Sequence, residues 1–172
     1  KVAIASDNAN SSLMLKDAVK TGLLSQGVEV FDFGQITTPM TRYGIRFLGL
    51  DGGVHVRISE NETEQILMEI MDRNGANIGR TVERKVENLF SRQDFKRVSA
   101  KAISQSRQVR DIPLFYMRNL INSIPTESIK SYGMRVLVSS KSQMMLQIFV
   151  SVLNEIGCCV DKVVMSEDET DP

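Results

Sequence analysis

Only two cysteines occur in the chain, and they are neighbours, Cys158 and Cys159. Adjacent thiols cannot bridge distant segments and are badly placed to build a metal cluster, so a disulfide framework is excluded. The pair reads as two buried thiols on a strand. Net charge is missing as well: Lys plus Arg and Asp plus Glu each number 21, which leaves no overall field to draw a polyanion and argues against nucleic acid as a partner. No apolar run approaches the roughly 18 to 20 residues that span a bilayer. The first residues also lack the charged-then-apolar layout of a signal peptide. A cytoplasmic chain with no membrane partner is therefore expected, and the sequons at Asn10 and Asn61 read as chance. The only histidine, His55, has no Ser or Cys partner arrangement around it and reads as a core or sheet-surface residue. A glycine-rich phosphate loop with lysine is absent, and "DRNGAN" is too short and too poor in carboxylates for a calcium loop.

What is present is ordinary globular material. The 172 residues are enough for one domain and part of a second. The 42% hydrophobic and 24% charged fractions sit at usual soluble values. "KVAIAS" reads as a buried strand, and "DNANSS" after it turns the chain and starts a helix. Leu15, Ala18, Val19, Gly22 and Leu23 recur at helical spacing up to Gly27, and a second strand follows over Val28 to Phe33. Strand, crossover helix and strand of this length form a right-handed parallel βαβ unit, hence a three-layer α/β/α fold around a mostly parallel, mixed sheet. After Gly34 and Pro39, Met40 to Leu48 reads as a short helix ending at Gly49. In "VHVRIS", Val54, Val56 and Ile58 alternate with His55, Arg57 and Ser59, so a third strand runs out at a serine. Ligands of open α/β sheets collect at the carboxyl ends of parallel strands, which makes Ser59 the candidate for chemistry.

Further on, the apolar run Ile66 to Met71 closes at the turn signal Asn74-Gly75. Val82, Val86, Leu89 and Phe90 mark an amphipathic helix with solvated charges on its outer face. Ser91 to Asp111 is polar and basic with no aromatic platform and reads as a surface excursion. Pro113 to Ile124 reads as a helix stopped by Pro125. A second βαβ-like unit follows: "MRVLVSS", a helix from Lys141 to Ile156 with Met145, Phe149, Val152, Leu153 and Ile156 on its core face, and "CCVDKVV". The organisation expected is a first domain over 1–110, then a linking helix and the start of a second over 111–172. Lys1 stands inside a strand pattern and the chain closes on the acidic "MSEDETDP", so it reads as an excised fragment.

Three stretches, "VAIASDNANSS", "GVEVFDFGQITTPMTRYGIRFLGLDGGVHVRIS" and "NGANIGRTVERKVENLF", resemble the first domain of the phosphohexomutases, which include phosphoglucomutase and phosphomannomutase. "GMRVLVSSKSQMMLQIFVSVLNEIGCCVDKV" resembles the start of that family's second domain. The resemblance covers nearly the whole chain, leaving out the N-terminal segment of the first domain. It implies intramolecular phosphoryl transfer on hexose phosphates. A serine at the end of the third strand carries the phosphoryl group, and Mg²⁺ bridges it to aspartates of the second domain. Carried over, that serine is Ser59, Asn61 matches the loop after it, and Asp7 frames the phosphate surroundings. Arg57, where the family commonly has threonine, lies on the same side of the strand as Ser59 and either restores part of the positive charge there or pairs with Glu60. The parent's partners would be a hexose phosphate and the remaining mutase domains or, in the alternative reading, a fused nucleotidyltransferase. In that last case the domain would act as a non-catalytic regulatory or scaffold part.

The sequence also departs from the family. Ser6 and Ala9 stand where the family has arginines, and Glu60 and Glu62 flank Asn61 where it has histidine and proline. A phosphoserine carries roughly −1.5 to −2 charge, which those acids repel. If each lost arginine removes one charge-assisted hydrogen bond of roughly 1.5 to 3 kcal/mol, the two together cost about 3 to 6 kcal/mol, on the order of 10²- to 10⁴-fold in rate. "SEDETDP" lacks the spaced aspartates that hold Mg²⁺. The fragment itself is therefore expected to bind no metal and to be weakly active or inactive.

Overall fold

The computed structural model describes residues 1–59, 61, 65–93, 95, 97–140 and 142–164. Glu60 and Glu62, the expected start of the second crossover helix at Lys141, and the acidic end 165–172 lie outside the described residues. The chain divides into two compact units, Lys1–Pro113 and Leu114–Pro172.

In the first unit β1 (Val2–Ser6) is followed by α1 (Asn10–Ser25), β2 (Val30–Gln35), α2 (Thr38–Phe47), β3 (Gly52–Ile58) and β4 (Ile66–Asp72). After these come α3 (Arg80–Arg92) and β5 (Ser106–Gln108). The strands form one sheet in the order β4-β3-β1-β2-β5. β1, β2, β3 and β5 are parallel, and β4 returns antiparallel beside β3. β1 is central, and Ala3, Ile4, Ala5 and Ser6 are fully buried, as expected of a strand covered on both faces.

The period of two sorts the side chains between two helical layers. Ile4, Val30, Val54 and Val56 form a core against Leu15, Val19, Leu23 and Leu24 of α1. Each such burial contributes roughly 1.5 to 3 kcal/mol. On the other face, the close approach of α2 depends on missing side chains. A Cβ on Gly53 would lie 2.6 Å from Ile45 Cδ1, and one on Gly44 2.6 Å from the Phe33 ring.

Several elements differ from the sequence expectation. Ala18 and Gly22 of α1 face outward, while Ser12 and Lys16 are its most buried residues. Lys16 pairs with the buried Asp32 across the helix–sheet junction at 3.1 Å, which is why a lysine outside the expected apolar face is buried. α2 begins at Thr38, ahead of Met40, because Pro39 falls in its first turn, where a missing N–H costs nothing. The stretch expected as a surface excursion contains β5, which pairs with β2 as an exposed three-residue edge strand. Its residues are all polar, so no alternation marks it. The apolar stripe of α3 is exposed, with Leu89 at 52% and Phe90 at 73%. It borders a groove of about 490 Å³ shared with Val19, Leu23, Val54 and Met68.

The second unit holds most of α4 (Ile112–Asn122), α5 (Thr126–Tyr132), β6 (Arg135–Ser140), α6 (Gln143–Glu155) and β7 (Cys159–Val164), with β6 and β7 parallel. α5 was not expected from the sequence. Leu146, Val152 and Ile156 are the buried side of α6, while Phe149 is 46% exposed. A two-stranded sheet is too narrow to cover the whole stripe. Cys158, just ahead of β7, is buried, whereas Cys159, the first residue of β7, is exposed. No helix among the described residues is long and apolar enough to cross a membrane.

Candidate functional site

The strand order creates one natural crevice. The chain leaves β1 toward β2 and leaves β3 toward β4, so the loops after these two neighbouring parallel strands part at their carboxyl ends. Ligands of open α/β sheets bind at such a switch point. Asp7 lies just past β1, and Ser59 is the first residue past β3.

Asp7 joins the two strand ends. Its N–H donates to Val56 O at 3.0 Å, continuing the β1–β3 ladder by one rung. Its carboxylate then accepts from two backbone amides, Oδ1 from Ala9 N–H at 3.0 Å and Oδ2 from Ile58 N–H at 2.8 Å. The first bond shapes the turn into α1; the second fixes the residue immediately before Ser59. Ile36 N–H donates to Ser6 O at 2.9 Å and ties in the end of β2.

Ser59 is half-buried. Its N–H donates to Gln65 O at 2.8 Å, which closes the base of the loop between β3 and β4. Asn61 is exposed in a bend of that loop. The rim thus brings Asp7, Ser59 and Asn61 to one end of the sheet. The two positions where the family has arginines hold no charge. Ser6 is fully buried, with no hydrogen-bond partner for its hydroxyl among the described residues, and Ala9 caps α1 without a side-chain bond.

Arg57 is engaged across the hairpin. Its Nε and Nη2 lie 3.2 and 3.1 Å from Glu69 Oε1 on β4. Arg42 of α2 approaches the other carboxylate oxygen of Glu69 at 4.0 Å. The partner Glu69 was not legible in the sequence, where it stands inside the apolar run "ILMEIM". Recognising it requires the antiparallel register, which sets His55 opposite Glu69 and leaves Arg57 diagonal to it. His55 is 1% exposed under α2, its Nδ1 2.8 Å from Thr41 Oγ1. Burial depresses its pKa to about 4, against the opposing pull of Glu69 and Asp7. It is a neutral core residue of the sheet–α2 contact.

Among the described residues no three His, Cys, Asp or Glu side chains converge as a metal ion requires. Among the described residues the carboxylate of Asp7 is committed to two amides and that of Glu69 to Arg57. The donor set that the described residues bring to this rim therefore does not fit Mg²⁺ on its own.

Residues 1–97 match the family model described as phosphoglucomutase/phosphomannomutase, alpha/beta/alpha domain I. The chain is 32% identical over 162 residues to a phosphoglucomutase/phosphomannomutase of Thermococcus kodakarensis, covering 94% of this chain and 35% of the relative. It is 28% identical over 159 residues to a phosphoglucosamine/phosphogalactosamine mutase of Sulfurisphaera tokodaii, covering 92% and 35%. The crystal structure of a phosphoglucomutase/phosphomannomutase family protein from Burkholderia thailandensis superimposes with a TM-score of 0.74 at 18% identity, over 94% of this chain and 35% of that one. This likeness concerns the fold. The chain spans about a third of the length of the curated relatives it matches.

Proposed function

The chain belongs to the phosphoglucomutase/phosphomannomutase family, and from that premise we propose that Ser59 carries a phosphoryl group for a hexose phosphate mutase of which this chain forms about a third. In the proposed step Ser59 Oγ attacks a phosphorus of a hexose bisphosphate. The Oγ–P bond forms, the P–O bond to the sugar breaks, and the proton of the serine hydroxyl ends on the sugar oxygen that the phosphoryl group leaves. Phosphorylated Ser59 then gives the group to the free hydroxyl of an incoming isomeric monophosphate, whose proton returns to the serine oxygen. The bisphosphate so formed turns round and yields its other phosphoryl group to Ser59, which releases the isomerised monophosphate. The observation that carries this proposal is the position of Ser59 at the carboxyl end of β3, in the β1/β3 crevice and next to an amide held by Asp7.

The same residues make the transfer slow. A phosphoserine needs cationic or N–H partners. At this rim Ser6 and Ala9 bring no charge, and the Arg57 guanidinium is shared with Glu69. Glu60 and Glu62 add two negative charges beside Ser59 in sequence. This weak complement of cations equally supports a second reading, a mutase-like domain that serves a larger sugar-nucleotide enzyme as a scaffold. Any Mg²⁺ would be held by groups other than the described residues.

Incubating the protein that carries this chain with a hexose 1,6-bisphosphate and recording its intact mass separates the two. Phosphoryl carriage predicts a gain of one phosphoryl group in the wild type and none in Ser59→Ala. A wild type that gains nothing leaves the scaffold reading standing.

A further inference from the structure

We infer that Asp7 is the positioning residue for Ser59, acting through the backbone of Ile58; the inference rests on the carrier role proposed for Ser59. β3 ends at Ile58, and one residue further the Ser59 amide adds a last rung toward β4 before the chain enters the loop. Two bonds hold the backbone that leads into the Ser59 Cα. On the loop side Ser59 N–H is held by Gln65 O at 2.8 Å. On the strand side the Ile58 amide is held by Asp7 Oδ2 at 2.8 Å, a bond from one strand end to another across 51 positions of sequence.

The second oxygen of the same carboxylate accepts from Ala9 N–H at 3.0 Å, and Asp7 N–H is anchored on Val56 O at 3.0 Å. The carboxylate is thus oriented from three directions and cannot follow the loop if the loop moves. Charge-assisted bonds to backbone amides are among the stronger hydrogen bonds available. A nucleophile displaced by about 1 Å loses on the order of 10²-fold in rate. Asp7 does not touch the reacting atoms in this account; it holds the peptide from which the nucleophile hangs.

The test compares Asp7→Ala, Asp7→Asn and Val30→Ala in the protein that carries this chain. Val30 lies in the same core but at the opposite, amino end of β2, so its truncation lowers stability without touching the rim. Single-turnover phosphorylation by a hexose 1,6-bisphosphate is measured where all variants are folded, together with amide hydrogen exchange at Ile58. Asp7→Ala is expected to slow the saturated rate about 10- to 100-fold. Its half-saturating concentration should move by less than about threefold, the split that marks lost positioning instead of lost binding. Ile58 should lose its exchange protection in that variant. Asp7→Asn, with one acceptor oxygen, should recover part of both, and Val30→Ala should change neither. The inference is overturned if Asp7→Ala is no slower than Val30→Ala, or if Ile58 stays protected in it. A wild type that takes up no phosphate overturns the carrier role instead, and the exchange rate at Ile58 still decides whether Asp7 holds that amide.

Discussion

His55 ties stability to pH. Its imidazole is fully buried against Thr41, and burial holds its pKa at about 4, below the 6.5 of an exposed histidine. Between those two values the unfolded chain takes up a proton that the folded chain refuses, so stability is complete above about pH 6.5 and falls as the pH drops toward 4. The loss attributable to this residue is about 3 kcal/mol at most. Urea unfolding at pH 7 and pH 5 should show a lower midpoint at pH 5, and His55→Gln should flatten the difference. An equal difference in the variant would assign the pH dependence to other groups.

Asp32 is the other buried residue with a sharp consequence. Burial works against its charge. Hydrogen bonds from Lys20, the Gly34 N–H and Lys16 outweigh that and hold its carboxylate below the usual range. Asp32→Ala would strand Lys16, whose side chain is 5% exposed, and should cost about 3 to 5 kcal/mol in chemical unfolding. Replacing the pair together, Lys16→Met with Asp32→Leu, should recover much of that loss. A double variant no more stable than Asp32→Ala would contradict the account of the pair. Residues of this kind were poorly legible in the sequence. Ser59 stood out by its place at the end of the third strand, and Asp7 and Asn61 by the resemblance of their stretches to the family. The partners of Lys16 and Arg57 depend on which strand lies beside which, and no local pattern encodes that.

At the scale of elements, the parallel β1, β2 and β3 were readable because each alternates or runs apolar and is closed by a turn signal. β5 was not, being three polar residues whose strand state comes only from pairing with β2. The direction of β4 was also hidden, since an apolar run says nothing of parallel or antiparallel. α2 supplies the element-scale prediction. Its contact with β3 needs the bare Gly53, so Gly53→Ala must push Ile45 aside and should destabilise the first unit by roughly 1 to 3 kcal/mol. A thermal unfolding midpoint unchanged in Gly53→Ala would show that α2 adjusts freely and that its close packing does not constrain the sheet.

Across the whole molecule, a five-stranded first unit carries the rim and a second unit begins another βαβ repeat. The family model covers residues 1–97 and so includes every residue assigned to the rim. The central claim is that this rim delivers the Ser59 hydroxyl to a phosphorylated sugar. Its most direct test is site mapping: the protein that carries this chain is exposed to a hexose 1,6-bisphosphate, digested, and its peptides fragmented to locate any phosphate. The account predicts phosphate on Ser59 and on no other serine of the rim, including Ser6, Ser11 and Ser12. Phosphate on one of those in place of Ser59, or on no residue at all, would contradict it.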